Sequence, residues 1–297
     1  MTKSISVVIN TLNEEKNIAN AIRSVAWADE ILICDMFSDD KTVEVAKKFG
    51  AKVIFHKRVN FVEPARNFAI SKASNKWILV LDSDEQIPNS LKNRLIEIAD
   101  KFKEIDFVRI PRKNLIFNKW MRASQWWPDY NIRFFKKGKV KWSDKIHRPP
   151  GTSGEGIDLE ADEQWAIIHH NYQTISQFIV RMNRYTQIEA EELRRQGYEF
   201  IWQDLLEKPL NEFLSRFFVS KGYKDGIHGL SACLLQAFSF LVVYLKLWEL
   251  NSFKEQPIDL SMLEKEKVKM GFAINYWIKQ SKLSKNPLKR FFQKIKS

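Results

Sequence analysis

The sequence predicts an α/β fold: a Rossmann-like, mostly parallel sheet with helices on both faces, followed by a helical C-terminal region. Two observations carry this. Up to about Phe102, short apolar runs rich in β-branched residues alternate with segments of helical period, as in a parallel sheet built from crossover units. Past Gln203 the strand pattern stops and long apolar or basic stretches follow. Composition agrees. Of 297 residues, 44% are hydrophobic and 28% charged, an ordinary globular balance that excludes wholesale disorder and a polytopic membrane protein. Ten Trp and 21 Phe supply large rings for a sizeable core.

In order along the chain, Ile5–Ile9 reads as a strand, and Ile18, Ala21, Ile22 and Val25 mark a helix face. Glu30–Asp35 is a second strand. Asp39 or Asp40 can cap the helix from Lys41 to Phe49, which stops at Gly50. Val53–Phe55 is a third strand, and Pro64–Ala73 a helix with proline near its first turn. Trp77–Leu81 does not alternate, so it predicts a strand buried on both faces. Pro88 opens a helix that reaches about Phe102.

Residues 105–170 are less regular, with Trp120, Trp126, Trp127, Tyr130 and Trp142 scattered among charges. Asn131–Lys136 reads as a strand, and the three glycines between Gly151 and Gly156 suggest a mobile loop. Thr174 caps a long helix to about Arg195, with Ile175, Phe178, Ile179, Met182, Tyr185 and Ile188 as its apolar face. Gly226–Leu245 carries no formal charge. That is about the length of a membrane span, but His228, Ser231, Gln236 and Ser239 dilute it and favour a core or interfacial helix.

Cys34 and Cys233 each sit in an apolar run and read as buried free thiols, which suits a reducing compartment. The N-terminus enters strand-like sequence without the apolar core and cleavage site of a secretory signal. A cytosolic or cytosol-facing location is the expectation. Net charge is +12, and from Asn251 onward there are 11 Lys or Arg against 4 Asp or Glu. With Tyr276, Trp277, Phe291 and Phe292 among those lysines, the segment suits an anionic membrane surface. A solvated charged face is the plainer alternative. No helix-turn-helix, zinc or RNA-recognition signature appears, so nucleic acid is not expected as a partner.

In parallel sheets, ligands bind at the carboxyl ends of the strands. Here those ends are Asn10–Glu14, Asp35 and Asp82–Asp84, all polar. Asp82-Ser83-Asp84 follows a buried strand directly, and alternation along an extended segment would put both carboxylates on one side. Such a pair can share a hard divalent ion that also binds phosphate.

On these residues the chain resembles family-2 glycosyltransferases of the GT-A fold. The resemblance rests on Val8–Glu15, on Asp35 with Ser38–Thr42, on Ala65-Arg66-Asn67, and on Leu81–Glu85. A subgroup that adds glucose-type sugars to the lipopolysaccharide inner core is similar further along. The similar segments are Trp127-Pro128-Asp129, Arg133-Phe134-Phe135, Ile146-His147, His169–Tyr172, Asn183–Tyr185 and Gly222–Gly226. The likeness covers roughly residues 3–250. It implies a catalytic domain over residues 1–205. Residues 206–297 would then be a helical membrane-surface or oligomerisation element.

The resemblance also implies roles. Thr11, Leu12, Asn13 and Glu14 would line the base and ribose of a nucleotide sugar, with Asp35 binding the same part. Arg66 would approach the diphosphate. Asp82, with Ser83 beside it, would contact ribose and metal-bound water. Asp84 and Asp82 would hold Mn²⁺ or Mg²⁺, and His170 resembles the late histidine that completes the metal shell. The implied activity is inverting, metal-dependent hexose transfer from a nucleotide sugar, a UDP-sugar by resemblance. Its acceptor would be lipid-linked or a cell-surface glycan, at the inner face of the cytoplasmic membrane.

Inversion needs a carboxylate to take the acceptor's proton. Asp129 is the leading candidate, in an aromatic stretch where Trp126 and Trp127 could stack on sugars; Asp144 and His147 are rivals. Arg133 could bind phosphate or pair with Asp129. Four readings stay open besides: a protein or peptide glycosyltransferase of the same fold, a nucleotidyltransferase, a non-enzymatic basic binding protein, and a homo-oligomer built on the 226–245 segment.

Overall fold

The structure is a computed structural model and describes residues 4–59, 62–143 and 149–282. It begins with β1 (Ile5–Thr11), α1 (Ile18–Ser24), β2 (Glu30–Asp35), α2 (Thr42–Lys48), β3 (Lys52–Phe55), α3 (Glu63–Lys72) and β4 (Trp77–Asp82). Next come β5 (Glu85–Gln86), α4 (Asn89–Lys101), β6 (Ile105–Ile116), β7 (Lys119–Trp120) and β8 (Asp129–Lys136). They are followed by β9 (Val140–Lys141), β10 (Gly151–Thr152), β11 (Glu155–Asp158) and β12 (Ile167–Tyr172). Four long helices close the chain: α5 (Ile175–Arg195), α6 (Asp204–Leu214), α7 (Gly226–Leu250) and α8 (Leu260–Lys282).

The main sheet has the order β3-β2-β1-β4-β8-β6-β12-β5. The β3-β2-β1-β4 half is parallel, as expected from the alternating pattern. Beyond β4 the pairing turns antiparallel, β4 to β8 and β8 to β6. Alternation along each strand divides the core in two. Val7, Ile9, Ile33, Leu79 and Leu81 pack with α1 and α4; Val8, Leu32, Cys34, Ile78 and Val80 pack with α3. β4 is buried on both sides, which is why its sequence is uniformly apolar. Phe134 and Phe135 on β8 serve opposite faces, Phe134 stacking on Trp77 at 4.5 Å and Phe135 tilting against Trp142.

Caps fall where side-chain chemistry requires. Thr174 accepts the Gln177 N–H at the start of α5, and Asp40 accepts the Thr42 N–H at the start of α2. Two local readings change. The glycine-rich stretch 151–156 forms β10, a turn and the start of β11 rather than a free loop. Gly154 there has φ +89°, and a Cβ would lie 1.8 Å from Asp106 Oδ2. On α5 the buried face is Phe178, Met182, Thr186 and Ala190, leaving Ile175, Ile179 and Tyr185 exposed.

The chain forms two compact units: residues 1–115 with 127–171, and residues 116–126 with 172–297. The expected boundary near 205 thus moves to Tyr172, because α5 packs on α7. In the second unit Ala190, Phe200, Val243, Tyr244 and Leu247 form one cluster; Ile116, Met121 and Ala232 form another. Asp225 accepts the backbone N–H groups of Arg122 and Ala123, which ties the 116–126 segment to the start of α7. The apolar 226–245 segment lies within α7, which buries Ala232, Cys233, Ala237, Val243 and Leu247. Both cysteines are free and buried.

Phe134 tests the junction of the parallel and antiparallel halves. Phe134→Ala should cost about 3–5 kcal/mol of stability, read as a lower urea midpoint.

Candidate functional site

The candidate donor, metal and base residues among the described ones lie in the first unit, at or near the carboxyl ends of β1, β2 and β4; Trp126 belongs to the second. The parallel register sets Thr11 beside Asp35 and Asn10 beside Asp82. Asp35 is fully buried. Its Oδ2 accepts the hydroxyls of Thr11 (2.9 Å) and Ser38 (2.5 Å), and its Oδ1 accepts the Ser38 N–H. Ser38 Oγ in turn accepts the Asn13 N–H, Asn13 Oδ1 accepts the Asp39 N–H, and Thr42 Oγ1 accepts the Glu14 N–H. The two loops after β1 and β2 are therefore laced into one rim. Asn13 and Phe37 both adopt left-handed φ of 57° to make it. Leu12 is half-buried and Asn13 exposed, so this rim faces solvent. Burial, with the Asp35 charge beside it, pushes the neighbouring Cys34 thiol up to about 11.

Asp82 ends β4 between two arginines. Arg66 Nη2 of α3 donates to Oδ1 at 2.7 Å, and Arg133 Nη2 of β8 donates to Oδ2 at 2.5 Å. Burial alone would raise the Asp82 pKa, but the Arg133 and Arg66 charges outweigh it and hold the carboxyl far below the usual range. Arg66 also lies over the Trp142 ring at 5.3 Å, while Asn67 exchanges hydrogen bonds with the Trp142 main chain. Among the described residues, Nε of Arg66 and Nε and Nη1 of Arg133 are buried without a partner.

The segment after Asp82 is a turn, not an extended strand. The Asp82 N–H donates to Glu85 Oε2 at 2.9 Å and closes it. The two aspartates therefore diverge: Asp82 points to the arginines and Asp84 to β12. Ser83 and Asp84 are buried.

The expected histidine shifts by one. His169 Nε2 is 3.5 Å from Asp84 Oδ1, whereas His170 Nε2 accepts from Gln86 Nε2 at 3.2 Å. β12 pairs antiparallel with β5, and its alternation turns His169 inward and leaves His170 half-buried, its pKa lowered by that burial. Asn114 fixes the His169 ring. Its Nδ2 donates to Asp129, so its Oδ1 is the acceptor for His169 Nδ1 at 2.6 Å.

Asp129 is held by neighbours not expected from the sequence. Its Oδ2 accepts Arg112 Nε and Nη2 at 2.9 and 2.6 Å and Asn114 Nδ2 at 3.0 Å. Its Oδ1 accepts Asn131 Nδ2 at 3.1 Å. Arg133 does not pair with it; Arg112 does. Burial raises the Asp129 pKa, but Arg112 outweighs it and keeps the carboxyl below its ordinary value. Asp144 and His147 lie outside the described residues.

Among the described residues, no three His, Cys, Asp or Glu side chains form a group that could hold a metal. Asp84 and His169 stand side by side at the end of β4, Oδ1 and Nε2 3.5 Å apart. That pair fits a hard divalent ion whose other ligands are phosphate and water. Asp82 is taken up by its arginines.

Comparison with known proteins decides the family. Residues 6–154 match the family model for glycosyl transferase family 2. The chain belongs to that family. The matched part holds Thr11–Glu14, Asp35, Arg66, Asp82–Asp84 and Asp129. This family 2 glycosyltransferase is 28% identical over 261 residues to an uncharacterised glycosyltransferase of Rickettsia typhi, covering 84% of this chain and 88% of the relative. It is 23% identical over 267 residues to the lipopolysaccharide core biosynthesis glycosyltransferase LpsC of Rhizobium meliloti, covering 85% of this chain and 95% of LpsC. Among solved structures, glucosyl-3-phosphoglycerate synthase from Mycobacterium tuberculosis matches 66% of this chain and 81% of its own, with TM-score 0.41 and 17% identity.

Glu85, Arg112, Asn114 and His169 are the site residues that no motif singled out for a role. Inward-facing parity on β6 and β12 could have flagged Arg112, Asn114 and His169.

The depressed carboxyl of Asp129 sets a pH dependence. A lowered folded pKa gives stability that is present above the unfolded carboxylate range, about pH 4, and lost as pH falls through the folded value. The stability difference between wild type and Asp129→Asn, measured by urea unfolding, should therefore stay level from pH 7 to about 5 and shrink below about 4.

Proposed function

We propose that this glycosyltransferase transfers a hexose, with inversion, from a UDP-sugar to a glycan acceptor of lipopolysaccharide or a related cell-surface glycan, assisted by Mn²⁺ or Mg²⁺. The observation that supports it most is the alignment of Asp84 with His169 at the end of β4, beside the laced rim of Thr11–Glu14 and Asp35. The similarity to LpsC supports the acceptor class.

In this reading the Thr11–Glu14 rim and Asp35 shape the base and ribose pocket. Arg66 turns its unpartnered Nε toward the diphosphate while its Nη2 stays on Asp82. Asp82 and Ser83 bound the ribose. Asp84 and His169 would hold the metal, which would supply positive charge where the leaving diphosphate gathers negative charge. Asp129 takes the acceptor proton. Arg112 guarantees that its carboxyl is ionised at neutral pH, and by the same attraction makes it a milder base.

The membrane side of the proposal rests on the second unit. Ile227, Leu234, Phe238 and Leu245 recur at helical spacing on the outer face of α7 and are 68, 52, 49 and 37% exposed. By length and composition α7 could also cross a membrane. On α8, Leu260, Val268, Phe272 and Tyr276 are exposed among lysines. Apolar side chains beside basic ones suit a peripheral site on an anionic leaflet. Phe291 and Phe292 lie outside the described residues.

The deciding experiment is turnover of a UDP-sugar panel with Mn²⁺, Mg²⁺ or chelator. One sugar should be used, and chelator should stop it. Asp84→Ala should lower kcat about 10²–10³-fold with an unchanged circular dichroism spectrum; full activity in that variant sinks the metal role. Label recovered in peptide rather than in lipid extract would move the acceptor to protein. Wild type should sediment with anionic vesicles at low salt and release at about 1 M, where the Debye length is about 3 Å. Leu234→Glu with Phe238→Glu should weaken that binding several-fold. Failure of wild type to sediment removes the membrane proposal.

A further inference from the structure

Glu85 closes the Leu81–Glu85 motif, yet nothing in that motif gives it a task. In the structure it is 0% exposed and meets three partners. Its Oε2 accepts the Asp82 N–H at 2.9 Å; its Oε1 accepts Arg133 Nη2 at 2.8 Å and Arg112 Nη1 at 3.3 Å. Arg133 uses that same Nη2 to donate to Asp82 Oδ2. Glu85 thus holds Asp82 twice, its main chain directly and its carboxylate through Arg133.

The connections run on. Arg66, Asp82, Arg133, Glu85, Arg112 and Asp129 form one chain of alternating charge. One end lies beside the diphosphate-facing arginine and the other at the candidate base. The strand register explains why side chains bridge here. β4 pairs with β8 from Trp77 opposite Lys136 to Leu79 opposite Phe134, and Arg133 is the next residue along β8. On the other side of β8, Arg112 stands opposite Asp129 in the β6 register. Buried ion networks are a weak source of net stability, because desolvation offsets most of the attraction. What they do well is fix geometry, since each member is oriented by two neighbours.

We propose that Glu85 is a positioning residue for sugar transfer: through Arg133 it sets Asp82 on the donor side, and through Arg112 it sets Asp129 on the acceptor side. Glu85 itself touches neither substrate. The inference rests on the donor and base roles proposed above.

The test compares wild type, Glu85→Gln, and the charge-balanced double variant Glu85→Gln with Arg133→Met. The probes are UDP-glucose, UDP-galactose and UDP-N-acetylglucosamine with Mn²⁺, read as kcat beside thermal melting. Glu85→Gln leaves a cation in excess and presents an amide NH₂ to donors. It should lower the melting temperature and lower kcat about 10²-fold, the scale of a misplaced reacting group. The double variant removes one charge of each sign. Its melting temperature should recover toward wild type while kcat stays at least about tenfold down, because Asp82 still lacks Arg133. A merely structural role predicts that activity returns with stability. Recovery of wild-type kcat in the double variant, or wild-type kcat in Glu85→Gln, overturns the proposal. If wild type turns over none of the three sugars, the donor reading itself fails and the positioning role falls with it.

Discussion

The Asp82 carboxylate between the Arg66 and Arg133 guanidiniums is the contact on which the site depends. β4 is the central strand, apolar on both faces, and it has to end in a polar group that the surroundings can satisfy. Asp82 is itself half-buried, but the arginines that meet it are buried and need a carboxylate there. The pairing partners come from both neighbours of the strand: α3 on one face and β8 at its edge. Once Asp82 is held, the turn through Ser83 and Asp84 has one direction available, and Glu85 secures it from the far side. The position of Asp84 against β12 follows from that turn.

The second unit solves a different problem, an apolar helix that must be covered on one side only. Small residues on α7 let its first turns approach other backbone closely. A Cβ on Gly229 would come within 1.9 Å of the Gly222 carbonyl oxygen. Asp225 draws the 116–126 segment onto the same region. The buried face is thereby complete, and the opposite stripe from Ile227 to Leu245 remains apolar and outward. A stripe of that composition is stable in water only at a cost, and a covering surface would relieve it.

How much of this was legible in the sequence depends on range. The strands, the helix starts at Thr174 and Pro88, and the buried character of Trp77–Leu81 are local consequences of composition, and they stand where periodicity put them. The rim from Thr11 to Glu14 with Asp35 was legible because parallel strands of equal phase end together. What depended on register was not. One residue of parity on β12 separates His169 from His170, and no local signal sets it. The divergence of Asp82 from Asp84 required Glu85 to close a turn, and extended geometry was the simpler reading of three alternating residues. Asp129 meets Arg112 rather than Arg133 because the β6 register sets Arg112 opposite it. On α5 a helical stripe was visible, but which side faced α7 was not.

Charge balance ties these pieces together. Asp82, Glu85 and Asp129 alternate with Arg66, Arg112 and Arg133, so the six charges of this network balance. Asp84 faces β12 instead, its Oδ1 3.5 Å from His169 Nε2. A nucleoside diphosphate brings about two further negative charges into such a cluster. Arginines already committed to carboxylates offset little of that. A divalent cation of the kind proposed above would offset most of it. The balanced network keeps Asp82 and Asp129 ionised and fixed, so any charge that a donor adds has to be met from outside it.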